Sequence, residues 1–507
     1  MKFVIKRFFL CCLLLLLLVL FSVFLIIQED KTVLGIKTLS DSEYNEIQNE
    51  YLYTDNFDVK LLLNGYRAPI DKKTKNIYVS INEKTKNMAR FSVDEFNFKL
   101  YFEPEVSYSL IFSEMSQNKK HKLIVVDKDS NLYTEYYVIF TNFPVISLNS
   151  EESGIDDEGQ EELKGEIFFW DALDKETNLY KSFNIQSLWH TKGQTVAAMP
   201  KKSLKLSIKN ARGSKENVSF CGLGEDDDWI LNAMYMDDLK FREKLLMDIW
   251  NQICIDNSEN IIMSNGEYVE LINDSEYQGL YLIQRRVDKK YLKLQDDILV
   301  KGKKVYGDLK SGDKYEIIHS IYNNEKTYDF LDENYTLNEC FAENINLDNW
   351  VDVNLIMAFG ALADNYSTNN NFTLFQNVHD DFEVKYILRD TDMSFGLTWV
   401  NSFEYLPDDM INEIKNRSER KALKKIYENL DTKIFIRWTE LRNSVLNYDN
   451  IIGIANLHYS NLLNNGVLIR DFEKNGIRYE NKDTFENFSL FVQNRLNVLD
   501  EYYCSKK

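Results

Sequence analysis

A long apolar run near the N-terminus most constrains how this chain of 507 residues can fold. The run covers residues 8–27 and is interrupted by a single serine, so its length matches the hydrocarbon core of a bilayer. Three basic residues, Lys2, Lys6 and Arg7, precede it, and this charge bias favours a cytoplasmic N-terminal tip. The sequence therefore predicts a cytoplasmic tip and a transmembrane signal-anchor within residues 1–29.

The flanks of the apolar run distinguish an anchor from a cleaved signal peptide. A cleavable signal peptide has a shorter apolar core and small residues before the cleavage site, and neither feature occurs in this sequence. An uncleaved or late-cleaved signal peptide is the alternative. We expect a single-pass protein of the cell membrane, with an acidic juxtamembrane spacer over residues 30–54 and the remaining chain outside the cytoplasm.

The composition argues against several classes of function. With a net charge of −20 and a pI near 4.9, a nucleic-acid partner is not expected, because such binding uses basic patches. The chain has five histidines and no C-x-x-C or H-x-x-x-H pattern, which argues against a zinc enzyme. Wide spacing of Cys221, Cys254, Cys340 and Cys504 favours free buried thiols over a disulfide framework, and leaves one disulfide open.

Strand-like patterns dominate residues 55–143. Phe96, Phe98, Leu100 and Phe102 recur at the period of two that is typical of a half-buried strand. Further short apolar runs occur at 58–63, 77–81, 123–126 and 136–140. Together they predict a small Ig-like β-sandwich domain, with the alternative that these strands join the sheet of the next domain.

Strands and helices are mixed in residues 144–507, which predicts an α+β domain. The apolar spacing changes between a period of two and helical spacing along this region. The expected elements are strand-like runs at 167–169, 204–208, 268–272 and 280–284, helices at 239–254 and 350–363, and a C-terminal helix with an apolar stripe at Phe485, Phe488, Val492, Leu496 and Leu499.

The stretch 363–396 carries a pattern that is typical of phosphoryl transfer. Asp364 and Asn369 have a D-x-x-x-x-N spacing, and a predicted strand pair then leads to Asp390 in D-T-D-M-S-F-G. Protein kinases use this order: the first aspartate accepts the hydroxyl proton of the substrate, while the asparagine and the later aspartate hold magnesium. The alternative is structural, because aspartate and asparagine also favour turns.

A lysine-rich segment supplies a candidate phosphate grip. Lys192 and Gly193 form a predicted turn, and Lys202 and Lys205 follow near the next strand. A glycine turn lets backbone N–H groups approach phosphate oxygens, and a lysine adds positive charge. The alternative is that these lysines protect an exposed edge strand from aggregation.

Six short segments follow one another in a specific order. They are P-K-K-S-L-K-L (200–206), L-G-E-D-D-D-W-I-L-N-A (223–233), D-D-L-K-F-R-E-K-L-L-M-D (237–248), E-Y-Q-G-L-Y-L-I (276–283), D-N-Y-S-T-N-N (364–370) and D-T-D-M-S-F-G (390–396). This order resembles the CotH family, the spore coat protein H kinases, which are atypical members of the protein-kinase-like fold. The resemblance covers roughly residues 144–507.

The resemblance implies a protein-kinase-like domain over residues 144–507. Its implied activity is transfer of the ATP γ-phosphate, with Mg²⁺ or Mn²⁺, to a serine or threonine of a cell-envelope or coat protein outside the cytoplasm. The resemblance assigns catalysis to Asp364, metal binding to Asn369, Asp390 and the helper Asp392, and nucleotide binding to Lys202, Lys205, Lys192 and Arg242.

Three positions depart from the family pattern. The family's Arg-Asn pair is Arg242-Glu243 here, the carboxylate often found after the Y-L-L strand is replaced around Gln284-Arg285, and the tryptophan before the metal aspartate is Arg389. The alternative function is therefore a catalytically silent envelope, coat-assembly or adhesion module on the same fold. A polysaccharide hydrolase with paired carboxylates is a weaker alternative, because it leaves the asparagine and lysine positions unexplained.

Overall fold

The computed structural model describes most of the chain after the predicted anchor. It describes residues 32–504 apart from 56, 58, 156–160, 194–198, 259–264, 295–297, 302–303, 307–342, 363–364, 366–371, 377–382, 390, 398–417 and 480–481. The α+β class predicted from the sequence is confirmed. Within this described part, none of the helices combines the length and apolarity needed to cross a membrane, and the predicted anchor at residues 8–27 lies outside it.

Two sheets form the first unit, residues 32–143. The larger has eight strands in the order β1-β2-β9-β10-β11-β7-β6, with β3 paired to β11, and the smaller has the order β5-β4-β8. The elements are β1 (Thr32–Val33), β2 (Ile36–Thr38), α1 (Asp41–Glu50), β3 (Leu52–Tyr53), β4 (Leu61–Leu63), β5 (Tyr66–Arg67), β6 (Ile70–Asp71), β7 (Asn76–Ser80), β8 (Phe91–Val93), β9 (Phe98–Phe102), α2 (Tyr108–Glu114), β10 (Lys120–Asp127) and β11 (Leu132–Thr141).

One apolar core joins the two sheets of the first unit. Leu61 and Phe91 of the smaller sheet belong to the same core as Val79 and Val125 of the larger one. The strands expected near 58–63, 77–81, 123–126 and 136–140 are confirmed as β4, β7, β10 and β11. In the described part of residues 32–143 the strand pairing differs from the predicted Ig-like sandwich, because β2–β9, β3–β11 and β7–β11 pair in parallel. Parallel pairs need long crossover connections, which local sequence patterns do not reveal.

The structure corrects the prediction of a spacer over residues 30–54. In the described part of this segment, β2 pairs with β9 of the larger sheet, and Val33, Ile36 and Leu39 are buried. Helix α1 begins with a capping box, in which a serine and a glutamate side chain satisfy backbone N–H groups. The few buried apolar residues stand among many polar ones, and for that reason the composition resembled a solvated linker.

A closed barrel of seven strands follows the first unit. Its order is β12-β13-β14-β15-β18-β20-β19, closed by parallel pairing of β12 with β19. Alternate residues point inward and fill the barrel, including the fully buried Trp189, Leu206 and Trp229. The strands are β12 (Val145–Ile155), β13 (Glu161–Asp171), β14 (Lys181–Thr191), β15 (Leu204–Lys209), β18 (Asp228–Asn232), β19 (Gly266–Asn273) and β20 (Glu276–Arg285), with a small hairpin of β16 (Val218–Ser219) and β17 (Glu225–Asp226).

A mostly helical part packs against one outer side of the barrel. Tyr268, Leu280 and Leu282 of the barrel share an apolar core with the helices, and the predicted C-terminal stripe is confirmed as part of this core. The elements are α3 (Arg242–Asp256), β21 (Ile298–Lys301), β22 (Lys304–Tyr306), α4 (Leu347–Gly360), β23 (Phe372–Gln376), β24 (Glu383–Ile387), α5 (Ser418–Ile426), α6 (Leu430–Arg442), α7 (Tyr448–Asn464), α8 (Val467–Asn475) and α9 (Phe485–Cys504). The strands β22-β21-β23-β24 form a four-stranded sheet in that order.

Candidate functional site

The side chains of the predicted phosphate-binding lysines in and before β15 point in different directions. Leu204 and Leu206 point into the barrel, so Lys205 between them points outward. Lys202 is exposed and lines a cavity at this end of the barrel. The backbone N–H of Lys192 donates to the Ser203 carbonyl (2.8 Å), which fixes the end of β14 beside this segment. Of the two lysines proposed for the strand, Lys202 is thus the one at the cavity.

The cavity at the barrel end has a volume of about 750 Å³. This volume lies within the range of roughly 300–1,000 Å³ that is usual for small-molecule sites. Gly193 and Lys202, both members of the predicted phosphate grip, line this cavity. The remaining wall combines aromatic rings, amides and a carboxylate, among them Trp189, Tyr281, Asn273, Gln278 and Glu161. The ammonium of Lys202 could therefore pair with an anionic group of a ligand. The aromatic rings and the amide groups could contact a planar group attached to that anion.

Behind the cavity wall, Lys201 points in the opposite direction from Lys202. Its ammonium is fully buried and donates to the Asp471 carboxylate (2.7 Å) and to the Leu280 carbonyl. Lys240 approaches the second oxygen of Asp471 at 3.3 Å. Burial lowers the pKa of the Lys201 ammonium to about 8, although the attraction of Asp471 raises it. Asp471 thus forms ion pairs with two buried lysines beside the candidate site.

The structure corrects the expectation that Arg242 contacts the nucleotide. Its side chain is 0% exposed, and its guanidinium donates to both oxygens of Asp483 (3.0 and 2.5 Å) and to Asp237. This bidentate pairing uses the planar fork of arginine between two carboxylates. Arg242 accordingly fastens the beginning of α3 to the segment before α9. Local sequence could not reveal this role, because Asp483 is 241 residues away in the chain.

The segment 391–397, which includes Asp392, packs beside the lysine segment. Met393 and Leu397 share an apolar cluster with Met236 and Tyr479, and Met199 packs against this cluster. Phe395 is anchored by its backbone N–H, which donates to the Gly360 carbonyl (2.7 Å), and its ring packs against Phe359, Phe488 and Phe491. The half-buried Asp392 accepts the backbone N–H of Met393 (3.0 Å).

The metal site predicted from the sequence is only partly within the described residues. Asp392 is described, whereas the predicted catalytic residue Asp364 and the predicted metal ligands Asn369 and Asp390 lie outside the described residues. Among the residues that the structure describes, no group of three or more histidines, cysteines, aspartates and glutamates is arranged to hold a metal ion. The chemistry of the predicted donor set nevertheless suits Mg²⁺ or Mn²⁺, because carboxylate and amide oxygens are the ligands that these ions prefer.

Comparison with known families identifies the region that contains this site. The family model described as CotH kinase protein matches residues 189–499, which includes every one of the predicted site residues from Lys192 to Asp392. The chain belongs to the CotH kinase family. No curated protein matches the chain significantly. The match begins near the end of β14, so the CotH-family region includes four of the seven barrel strands completely.

Two of the departures from the CotH pattern are in contact. Glu243 accepts a hydrogen bond from the side-chain amide of Gln284 (3.2 Å) and another from Asn232. All three side chains are buried; Glu243 lies on α3, Asn232 on β18 and Gln284 on β20. The resemblance led us to expect an amide at position 243 and a carboxylate after the Y-L-L strand. In this chain the contact joins a carboxylate on α3 to an amide on β20.

Sequence reasoning missed the buried charges that support the site. Lys201 and Lys202 are adjacent and identical in type, and only the direction of each side chain distinguishes the buried lysine from the one at the cavity. Lys201 and Asp471 are 270 residues apart, so no local pattern joins them. An aspartate within the amphipathic helix α8 was the only local signal, since a carboxylate on a buried helical face requires a buried cation.

Proposed function

We propose that this CotH-family protein is a kinase that transfers the γ-phosphate of ATP to a serine or threonine hydroxyl of a cell-envelope or coat protein. Family membership supports a kinase-like or coat-related role, and the chemistry of the site favours the kinase. The succession of helix α4, the D-x-x-x-x-N segment, the β23–β24 hairpin and the D-T-D segment supports a protein-kinase-like arrangement, since kinases carry these parts in the same order.

The observation that carries this proposal is that Met199 packs against the apolar cluster of Met236, Met393, Leu397 and Tyr479. Asp392 directly precedes Met393, and Lys202 follows Met199 by three residues. This shared cluster supports a site in which the predicted metal ligand Asp392 and the predicted phosphate lysine Lys202 lie in the same region. Phosphoryl transfer depends on this combination, because the protein mainly positions the reactants and neutralises phosphate charge.

Each residue of the proposed site has a separate task. Asp364 accepts the proton of the attacking hydroxyl, while Asn369, Asp390 and Asp392 supply hard oxygen ligands. The metal ion, when bound, supplies positive charge that neutralises the phosphates. We assign the phosphate contact to Lys202 rather than Lys205, because Lys202 lines the cavity and Lys205 points away from the barrel interior.

We also propose that residues 8–27 anchor the protein with the kinase region outside the cytoplasm, as the basic N-terminal flank favours. In that position the substrates are proteins of the envelope or coat. Protease added to intact cells should digest the kinase region; protection until lysis would contradict this orientation.

Transfer of labelled phosphate to the protein itself or to a generic protein tests the proposed activity. We expect Asp364→Ala to abolish transfer while ATP remains bound, and Asp390→Ala to weaken metal-dependent ATP binding as well. The matched control is Asp348→Asn, which neutralises an exposed carboxylate of the same region. Equal transfer by wild type and Asp364→Ala would reject the catalytic assignment. Absence of both transfer and ATP binding in the wild type would favour the silent assembly or adhesion module.

A further inference from the structure

Helix α8 carries two adjacent buried charges that face different parts of the molecule. Arg470 is 3% exposed and Asp471 is 0% exposed. Because an α-helix has 3.6 residues per turn, neighbouring side chains point roughly 100° apart. Arg470 reaches towards the first unit and the barrel, whereas Asp471 reaches the lysine segment. One helix therefore joins the first unit to the candidate phosphate site.

Asp471 fixes two chain segments at once. One of its oxygens accepts hydrogen bonds from the Lys201 ammonium (2.7 Å) and the Leu280 backbone N–H (2.8 Å), and the other lies 3.3 Å from the Lys240 ammonium. Lys201 immediately precedes the cavity lysine Lys202. Lys240 ends the connection from β18 to α3. A single carboxylate thus sets the position of both segments relative to β20.

The surroundings of Asp471 are shaped for this contact. Gly279 adopts a left-handed backbone conformation (φ +96°), and a Cβ atom at this position would lie 2.1 Å from the Asp471 carboxylate oxygen. Only glycine permits so close an approach. The ring of Tyr281 lies 4.6 Å from the Lys201 ammonium and adds a cation–π contact. Helix, strand and ring together leave one arrangement for the buried lysine.

Arg470 connects the same helix to the first unit. Its guanidinium donates to both oxygens of Glu270 (2.9 and 2.6 Å) and to the side-chain oxygen of Asn118, which follows α2 (3.2 Å). The hydroxyl of Tyr277 donates to Glu270 (2.6 Å), and the Tyr277 ring stacks on Tyr78 of the first unit at 4.3 Å. The first unit is therefore docked on the residues that hold Arg470.

We propose that Asp471 is a positioning residue for the Lys202 segment, and that helix α8 transmits the docking of the first unit to this segment. A test of this proposal by ATP binding rests on the proposed function, whereas a test by hydrogen exchange does not. Paired charges in an interior are costly to bury, and apolar side chains of similar size would stabilise this interior at least as well. Unlike apolar side chains, the paired charges also fix the distance between helix α8 and the segment that contains Lys201 and Lys202.

Hydrogen exchange of the full-length protein tests the proposal without any ligand. Asp471→Asn should speed exchange of the backbone amides of residues 199–206 by about tenfold, because both lysines lose their common carboxylate. Asn118→Ala should speed exchange of the same amides by about two- to fivefold although it does not touch them. The matched control is Asp352→Asn, which neutralises an equally buried carboxylate paired with Arg437 in α6 and should leave these amides unchanged.

Binding of ATP with Mn²⁺ supplies the second readout. Asp471→Asn should weaken binding by about tenfold, and Asp352→Asn should not change it even where both variants lose similar stability. Unchanged exchange and unchanged ATP binding in a folded Asp471→Asn variant would overturn the positioning role. If that variant does not fold, Lys201→Met is measured instead, and the same changes in hydrogen exchange and ATP binding are expected. Unchanged exchange in Asn118→Ala would overturn the transmission from the first unit.

The two readouts separate this inference from the proposed kinase activity. In one outcome the wild-type protein binds no ATP, but hydrogen exchange in the variants changes as described. That result would reject the kinase activity and retain the positioning role of Asp471. Normal ATP binding by the wild type together with unaltered exchange and binding in every variant would retain the kinase and reject the role of helix α8.

Discussion

The core of the first unit and the region behind the lysine segment are equally buried but differ in chemistry. The first core consists of apolar side chains such as Val79, Leu123 and Val138, all 0% exposed. The second region contains the charged Arg242 and Asp471 at the same 0% exposure. Apolar packing stabilises without directional demands, whereas a buried ion requires a partner in a defined place. The comparison indicates that buried ion pairs add fixed geometry to the segments around the candidate site, which apolar packing alone does not supply.

The largest effect should come from breaking the buried pair of Arg242 and Asp483. Asp483→Asn removes the charge that accepts the bidentate contact and leaves a buried guanidinium with one carboxylate, Asp237. We expect a loss of about 3–5 kcal/mol in the free energy of unfolding, measured by denaturant titration. In the apolar core, Ile77→Val should cost only about 1 kcal/mol. Similar losses at the two sites would break the comparison.

His121 offers a test of an ionisable group placed inside the apolar core. Its side chain is 3% exposed beside Phe140, and burial lowers the pKa of the imidazole from 6.5 to about 4. Below pH 6.5 the imidazole of the unfolded chain is protonated, whereas that of the folded chain stays neutral down to about pH 4. The free energy of unfolding should therefore fall between pH 6.5 and 4 by at most about 3 kcal/mol. His121→Leu should flatten this part of the stability–pH curve; an unchanged slope would exclude His121 as its cause.

A smaller effect should follow from moving the carboxylate from position 243 to position 284 and an amide in the reverse direction. Glu243→Asn and Gln284→Glu should each weaken stability by about 1–3 kcal/mol, because one leaves facing amides and the other places two carboxylates together in a buried site. The double variant should recover at least half of the summed loss, as expected for residues in contact. Denaturant unfolding of all four proteins measures the coupling. Strictly additive losses would contradict a direct energetic coupling between the two residues.

The sequence predicted the parts of the structure that depend on local patterns. The alternation in β15 and the apolar stripe of α9 both appear in the fold, because each element buries one of its own faces. The sequence did not predict the place of residues 32–53 in the first sheet, because β2 pairs with β9, which lies about sixty residues further along the chain. The sequence did not predict the buried ion pairs for the same reason, because Lys201 and Asp471 come into contact only in the folded protein.

For the candidate site, the sequence could not distinguish the surroundings of the predicted residues. Lys202 lines a cavity, whereas Lys205 points outward and Arg242 forms a buried ion pair. Direction along a strand depends on register, and register is fixed by partners that are distant in the chain. The roles of Asp364, Asn369 and Asp390 stay predictions, because these residues lie outside the described part.

The most direct test of the account is the melting temperature of the full-length protein with ATP and either Mg²⁺ or Mn²⁺. A ligand that binds only the folded protein stabilises it by about 2.7 kcal/mol at a hundredfold excess over its Kd. We predict a metal-dependent increase in melting temperature that Lys202→Met removes and Lys205→Met retains, because Lys202 lines the cavity. An unchanged melting temperature of the wild type with millimolar ATP and both metals would contradict the proposed kinase.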